Sequence, residues 1–438
     1  MLGAPWALSA IMQLPRCIQR AFSAHAFAQL SSGRDTGPVP NSSGNSRAAE
    51  STSMRPNSHF TGVLGALPPG VLDDIIEASQ QPQTGVSMRY ILDFGTQPMA
   101  RQMLMSSRFL HGELPIRLAH RIIELNALPE ELSQNLHVER VKAWYAESFH
   151  DLRVLPLVKE EADVVRFTEL LRRLYARHGP VVPAVAKGVE EYKRQALQAG
   201  RSESGLQADL DPFLDRFFLS RIALRFLVGH HIALYEQSVK PEGQRRMDRI
   251  GMIHTKCSPL QVVSDAVDDA REVCIRTRGD APDVNVIGSP ALTFPYVPSH
   301  LHQMVFELVK NSLRAVAERY DKLDRSPPDI NVVVAQGRED IAIKVSDQGG
   351  GIPRSGLPRV FGYLYTTARS PLPEVDPGDS SYQGLPAVLA GYGCGLSLSR
   401  MYARYFGGDI QLFPMQGYGT DAFLHLSRLG NCEEPLPK

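Results

Sequence analysis

Cysteine is scarce and scattered. Cys17, Cys257, Cys274, Cys394 and Cys432 form no C-x-x-C pair and no zinc-ligand spacing, and their number is odd. No disulfide framework is predicted, and a reducing compartment is the simpler setting. Excess charge is also missing. The 47 basic residues balance the 47 acidic ones, so global electrostatics make no case for a nucleic-acid binder. No run of eighteen apolar residues occurs, and no membrane-crossing helix is predicted. A G-x-x-x-x-G-K-S/T loop is absent, which excludes a P-loop ATPase. Leu92-Asp93-Phe94-Gly95 contains D-F-G but lacks any accompanying H-R-D-L-x-x-x-N or V-A-I-K, which excludes the common protein-kinase fold. Around Gly391, Leu396 stands where a dinucleotide fingerprint needs its last glycine.

The chain does have ample core-forming material. Its 438 residues, 43% of them hydrophobic, allow two or three domains and exclude a disordered polymer. Charge is unevenly placed. Residues 1–34 carry Arg16, Arg20 and Arg34 and no acid, in a Ser- and Ala-rich background. That composition predicts an organelle transit peptide, followed by a flexible Gly/Pro/Asn/Ser spacer to residue 60. The first sixty residues hold five arginines against Asp35 and Glu50, so the remainder is slightly acidic.

Residues 61–245 read as helical. Apolar positions recur at Leu114, Leu118 and Ile122 and again over Val164–Leu174, and Pro129 and Pro212 suit helix starts. Phe213–Leu234 is long, apolar and dotted with arginines, as a central helix of an antiparallel bundle would be. From 246 to 430 the period changes. INVVVAQ (330–336), IAIKVSD (341–347), DIQLFPM (409–415) and TDAFLHLSR (420–428) alternate as strands, the last two as a hairpin around residues 416–419. Helices are expected at 300–320 and 395–406, giving an α/β layer. Residues 369–390 read as a lid or a disordered loop, and 431–438 as a short tail.

The helix at 300–320 carries chemistry. Leu301, Met304, Val305, Leu308, Ser312, Ala315 and Val316 make an apolar stripe; His300, Gln303, Glu307, Lys310, Asn311, Arg314 and Glu318 lie opposite. For any one such helix a solvated polar face is the ordinary reading. Asn311, however, is a poor interior helix former, and Glu307 with Asn311 one turn on is a hard-oxygen pair suited to Mg²⁺. Three glycine clusters follow. Asp347-Gln348-Gly349-Gly350-Gly351 leaves a strand and allows close approach to a flat ligand, with Asp347 placed to accept an adenine amine. Gly391-Tyr392-Gly393-Cys394-Gly395-Leu396 opens a helix whose N–H groups favour phosphate. Gly417-Tyr418-Gly419-Thr420 closes the set. Each cluster alone reads as a turn; their order after an E-x-x-x-N helix is specific.

In that order these motifs resemble the N, G1, G2 and G3 boxes of GHKL ATPases. Within that superfamily the chain resembles the mitochondrial pyruvate dehydrogenase kinases, including plant-type members. The stretches YILDFG (90–95), ELPIRLAHRI (113–122), DVVRFTELLRRLYARHGPVVPAVAKGVEEYK (163–193), FLDRFFLSRIALRFLVGHH (213–231), VPSHLHQMVFELVKNSLRAV (297–316) and GYGCGLSLSRMYARYFGGDIQL (391–412) carry the likeness across most of 88–428. The resemblance implies a multi-domain α and α/β protein: an N-terminal antiparallel helix bundle plus a C-terminal GHKL-type (Bergerat) sandwich that binds ATP. It also implies a mitochondrial matrix kinase that phosphorylates serines of the pyruvate dehydrogenase α subunit, uses Mg²⁺ and allows K⁺. Such kinases are usually dimeric and dock on lipoyl domains of dihydrolipoyl acetyltransferase.

The implied roles fall on matching residues. Glu307 takes the place of the general base, with Lys310 and Arg314 nearby. Asn311 takes that of the Mg²⁺ ligand. Asp347, with Gly349, Gly351 and Thr420, matches the adenine site, and Thr366 and Thr367 match a pair near the nucleotide. Gly391, Tyr392, Gly393, Cys394, Gly395 and Leu396 match the phosphate-facing lid hinge. Arg177, His178, Ser220, Arg221 and Arg225 match a pocket for pyruvate-like inhibitors. The histidine that animal members carry four residues before the base is Gln303 here; His302, one residue earlier in a plant-type H-L-H pattern, is the substitute. The long Asp-Trp tail of animal members is missing. Three alternatives remain. A branched-chain 2-oxoacid dehydrogenase kinase usually has Pro where Phe306 stands. A histidine autokinase would need His150-Asp151 or His137-Val138-Glu139 as phosphoacceptor, and an inactive ATP-binding scaffold is the third.

Overall fold

The structure is a computed structural model that describes residues 60, 62–95, 99–246, 248–321, 323, 325–365 and 393–436. The expected transit peptide, nearly all of the spacer, and the loop at 369–390 lie outside those residues.

Helices come first: α1 (Gly62–Gly65), α2 (Pro69–Ser79), α3 (Met88–Phe94), α4 (Met99–Asn126), α5 (Glu130–Ser133), α6 (Leu136–Val154), α7 (Glu161–Arg177), α8 (Val181–Gln198) and α9 (Glu203–Ser238). Their starts follow local chemistry. Ser87, Asn135 and Ser202 each accept a backbone N–H at a helix N-terminus, and Glu160 with Asp163 forms a reciprocal capping box. Pro129 stands at a helix start as expected. Pro212 does not. It lies inside α9, ten residues into a helix that Ser202 already caps. Packing on α4 and α7 carries the helix through the missing hydrogen bond.

By length and composition α9 is apolar enough to cross a bilayer, which the absence of an eighteen-residue apolar run does not anticipate; 72% of its apolar window is instead buried inside the protein. Phe217, Phe218 and Phe226 on α9 and Phe149 and Phe167 on its neighbours are fully buried. Each contributes roughly 2 kcal/mol of transfer free energy to the core.

The second half holds β1 (Arg249–Ile250), β2 (Ile253–Cys257), α10 (Pro259–Arg278), β3 (Val284–Gly288), β4 (Phe294–Tyr296), α11 (Pro298–Tyr320), β5 (Ile330–Gln336), β6 (Asp340–Asp347), α12 (Gly395–Tyr405), β7 (Asp409–Met415) and β8 (Gly419–Ser427). The strands form a small sheet, β1-β2-β4, and a mixed sheet, β3-β5-β6-β8-β7. In the mixed sheet only β3 and β5 run parallel. Alternation decides the faces. Ile341, Ile343, Val345 and Asp347 of β6 are buried while the intervening residues are partly exposed. Helices α10 and α11 pack on each other, and α11 also packs on β6. Helix α12 bridges the halves, resting on α9, α11 and β7. From His59 onward the chain is one compact unit.

The tail folds back. Glu433 bridges Ser87, Glu434 N–H donates to Val86 O, and the buried Glu434 carboxylate meets Arg117 of α4.

Candidate active site

Helix α11 is the spine of the site. Its expected polar face is not solvated throughout. His300 is buried against Phe226, Tyr402 and Phe406, and burial pushes its imidazole down to about 3. Glu307 is only 2% exposed. A buried carboxylate needs partners. Lys310 supplies one, its Nζ lying 2.6 Å from Glu307 Oε1. The other oxygen, Oε2, lies against Gly395, the first residue of α12, where a Cβ would overlap it. Cys394 gives no side-chain cap there, so the first-turn N–H groups of α12 form an electropositive end next to Glu307.

Asn311 follows one turn later, half-buried, with no side-chain hydrogen bond among the described residues. Arg314 turns outward, its Nε 4.0 Å from Glu318, which also pairs with Arg278. His302 is not brought to Glu307. It pairs with Asp269 on α10 at 3.0 Å and stacks on Phe306. The expected substitution of His302 for the helper histidine therefore lacks support in the geometry.

Ser312 begins the second cluster. Its hydroxyl donates to Asp347 Oδ2 at 3.0 Å, while Asp347 Oδ1 accepts the N–H groups of Gly349 at 2.8 Å and Thr420 at 3.3 Å. Register explains the convergence, since Asp347 and Thr420 are paired across β6 and β8. Burial pushes the Asp347 carboxyl up, and these three donors pull the other way. Glycine is required around it. A Cβ on Gly349 would strike Ala315, and Gly351 adopts φ +69° against Met415 O.

The phosphate-side loop is only partly described: Thr366, Thr367, Gly391 and Tyr392 lie outside the described residues. Gly393 takes φ +63° against the backbone of Leu364 and Tyr365. Leu364 itself has φ +62°, a strained value for leucine. The Cys394 thiol is buried and pushed up to about 12, so it is neutral, and what the residue offers an anion is backbone. Leu396 is half-buried.

This loop base docks on the helical half. Tyr363 O–H donates to Asp215 at 2.7 Å and Tyr363 N–H to Asp211 at 3.3 Å, and Lys193 Nζ donates to Tyr363 O at 3.3 Å. The sequence reading missed these residues and Ser312. Ser312 betrayed itself only as the one hydroxyl in an apolar stripe.

In the helical half, His178, Arg221 and Arg225 converge. A small cavity is lined by Leu114, Leu118, Leu174, Tyr175, His178, Leu224, Arg225 and Val228. Arg225 lies 3.8 Å from the centre of the Tyr175 ring and donates to Tyr175 O. Arg221 is buried. Its Nη2 donates weakly to the carbonyls of His178 and Gly179, its Nε has no partner, and burial together with Arg225 pushes it down to about 10. Ser220 Oγ is likewise buried without a partner. No carboxylate pairs with Arg221 or Arg225 among the described residues, which is the electrostatics of an anion site. Arg177 is spent elsewhere, on Glu147, Asp151 and Ser148.

Comparison with known proteins agrees with this layout. Residues 85–254 match the family model described as mitochondrial branched-chain alpha-ketoacid dehydrogenase kinase. Residues 296–429 match the histidine kinase-, DNA gyrase B- and HSP90-like ATPase model. The mitochondrial pyruvate dehydrogenase (acetyl-transferring) kinase of Arabidopsis thaliana is 50% identical over 371 residues, covering 84% of this chain and 97% of the relative. The corresponding kinase of Schizosaccharomyces pombe is 34% identical, covering 82% and 96%. Human isozyme 1 is 36% identical, covering 92% and 88%.

Proposed function

The chain belongs to the mitochondrial pyruvate dehydrogenase kinase family, and from that premise we propose that it transfers phosphate from ATP to serines of the pyruvate dehydrogenase α subunit in the mitochondrial matrix and so inactivates that complex. The observation that carries the reading is the placement of Glu307: buried, paired with Lys310, and pressed against the bare N-terminus of α12.

Phosphoryl transfer needs positioning, charge neutralisation and a base near the acceptor. Asp347 accepts the adenine amine, and the glycines beside it leave room for the ring. Ser312 and the N–H groups of Gly349 and Thr420 hold the Asp347 carboxylate in place. About 8 Å of helix separates Ser312 from Glu307, so α11 runs alongside the nucleotide from adenine to phosphates. The α12 N-terminus faces the phosphates, and Glu307 takes the serine proton. Lys310 orients the Glu307 carboxylate. The free amide of Asn311 fits an ion that takes few protein ligands: Asn311 would hold Mg²⁺, which neutralises phosphate charge when bound.

The fold supports an antiparallel helix bundle over 61–245 and an ATP-binding sandwich over 246–430. Arg221, Arg225 and His178 form an inhibitory pocket for a small carboxylate, with Arg177 holding the α6–α7 contact rather than the ligand. Edge strand β7 of the mixed sheet exposes Phe413 and Met415, a surface suited to a homodimer; docking on lipoyl domains is part of the same proposal.

The deciding experiment incubates the purified chain with labelled ATP and both the pyruvate and branched-chain dehydrogenase complexes. Label on the pyruvate dehydrogenase α subunit, lost in Glu307→Gln with ATP binding retained, supports the proposal. Label on the branched-chain complex alone, or on a histidine of the chain, overturns it.

A further inference from the structure

Arg319, in the last turn of α11, has no role in the reading above. Its guanidinium reaches three backbone carbonyls. Nη1 donates to Gln348 O at 3.0 Å and to Tyr418 O at 2.5 Å, and Nη2 donates to Gly417 O at 2.9 Å. Gln348 belongs to the glycine turn after β6, and Gly417 and Tyr418 belong to the turn between β7 and β8. The two turns also bond each other directly, Gly350 N–H to Tyr418 O and Gly417 N–H to Gly350 O. Gly350 lies under the arginine, with φ +98°, and Gly417 has φ +87°.

Three carbonyl oxygens aimed at one point repel each other unless a cation sits among them. Both turns flank Asp347, the first through Gly349 and the second through Thr420, and each donates one N–H to its Oδ1. Fixing the turns therefore fixes the carboxylate. Arg319 also lies seven residues after Ser312, on the same face of α11, so one helix face holds Asp347 directly and its two flanking turns through the guanidinium.

We infer that Arg319 is a positioning residue for the nucleotide's adenine end: a guanidinium clasp that locks the two glycine turns around Asp347. The inference rests on the nucleotide reading of Asp347. It is specific in where it acts. The clasp lies about 18 Å along α11 from Glu307, so it sets base affinity and leaves the phosphoryl step alone. Lysine cannot replace it, because one ammonium does not span the fork that reaches both turns.

The test measures ATP and ADP binding by calorimetry, and kinase kinetics, for the full chain and for Arg319→Gln, Arg319→Lys and Asp347→Ala. Arg319→Gln is expected to weaken ATP and ADP equally, by about tenfold, as loss of a charged hydrogen-bonding group implies. KM for ATP rises accordingly and kcat stays within about twofold. Arg319→Lys recovers less than half of the loss on a logarithmic scale. Asp347→Ala abolishes binding of both nucleotides. If Asp347→Ala binds normally, the nucleotide reading itself fails. If Asp347→Ala loses binding while Arg319→Gln binds normally, the clasp is overturned and the nucleotide reading stands. A fall in kcat at unchanged KM, or full rescue by lysine, also overturns the clasp. If Arg319→Gln does not fold, Arg319→Lys carries the same KM-against-kcat comparison.

Discussion

Glu307 and Gly395 occupy one place from two directions: the carboxylate of the α11 residue fills the space where a Cβ of the first α12 residue would be. Gly395→Ala therefore forces Glu307 out of its position against α12 and away from Lys310. A displacement near 1 Å at a reacting group costs on the order of 100-fold in rate. Phosphate transfer to the α subunit is expected to fall by that factor, while ATP affinity, which we assign mainly to the Asp347 cluster, changes little. Near-normal turnover in Gly395→Ala would show that Glu307 tolerates displacement and does not act as the base.

Much of this arrangement was legible in the sequence, and the exceptions are instructive. Strands β5 and β7 lie at the expected residues, and β6 and β8 within one, because period-two alternation is sharp where one sheet face is buried. Helix α11 was readable from its stripe, yet the burial of His300 and Glu307 was not. A helix packed by α10, the sheet and α12 looks amphipathic in sequence, yet part of its polar side is buried in the fold while Arg314 and Glu318 keep to solvent. Pro212 suggested a helix start, and the interior of a 36-residue helix overrode it. The contacts that join the halves, Tyr363 with Asp211 and Asp215 and Arg117 with Glu434, are separated by roughly 150 or more positions. No periodicity encodes such pairs.

The proposed inhibitor pocket makes its own prediction. Arg225 stacks on Tyr175 at the cavity wall, and Arg221 is buried without a carboxylate partner. A bound carboxylate would supply the missing charge and accept a two-pronged hydrogen bond. Arg225→Ala should raise the concentration of a pyruvate-type inhibitor needed for half-inhibition by about tenfold or more, as loss of one charge-assisted contact implies. KM for ATP should not change. Equal inhibition of the variant and the parent would place the inhibitor elsewhere.

The tail is structural. Glu434 is 1% exposed at its side chain and meets Arg117, which also binds Glu113 at 2.8 Å and Thr84 O at 2.6 Å. Tyr405, the last residue of α12, hydrogen-bonds the same Glu434. One carboxylate thus ties α4, the chain terminus and α12 together. Removing it leaves a buried guanidinium with fewer partners, a change that costs about 3–5 kcal/mol. Glu434→Ala, or truncation after Asn431, should lower the denaturant midpoint by a corresponding amount without changing which subunit is phosphorylated. Unaltered stability would mean that Glu113 alone satisfies Arg117.

Acid should unfold this protein early, through its histidines. Burial pushes His178, His231 and His300 down to about 3 and His230 to about 4. Around His178, burial is reinforced by Arg221, Arg177 and Arg225, and around His231 by His230. Two of these buried rings have hydroxyl partners: Ser148 bonds His178, and Ser106 and Thr168 bond His231 from either side. In the unfolded chain each imidazole takes up a proton as the pH falls through about 6.5, while the folded protein excludes it. The folded value lies below the unfolded one, so the stabilisation is complete above about pH 6.5 and is lost progressively as the pH drops toward 3–4. Each histidine contributes a slope approaching roughly 1.4 kcal/mol per pH unit well below 6.5. Between pH 7.5 and 5.5 the ordinary carboxylates remain ionised, so denaturant midpoints in that window read the histidines. They should hold level down to about pH 6.5 and fall below it, and His231→Gln, which keeps hydrogen-bonding capacity between Ser106 and Thr168 but cannot titrate, should fall less steeply than the parent. A flat profile would mean that these imidazoles accept protons in the fold.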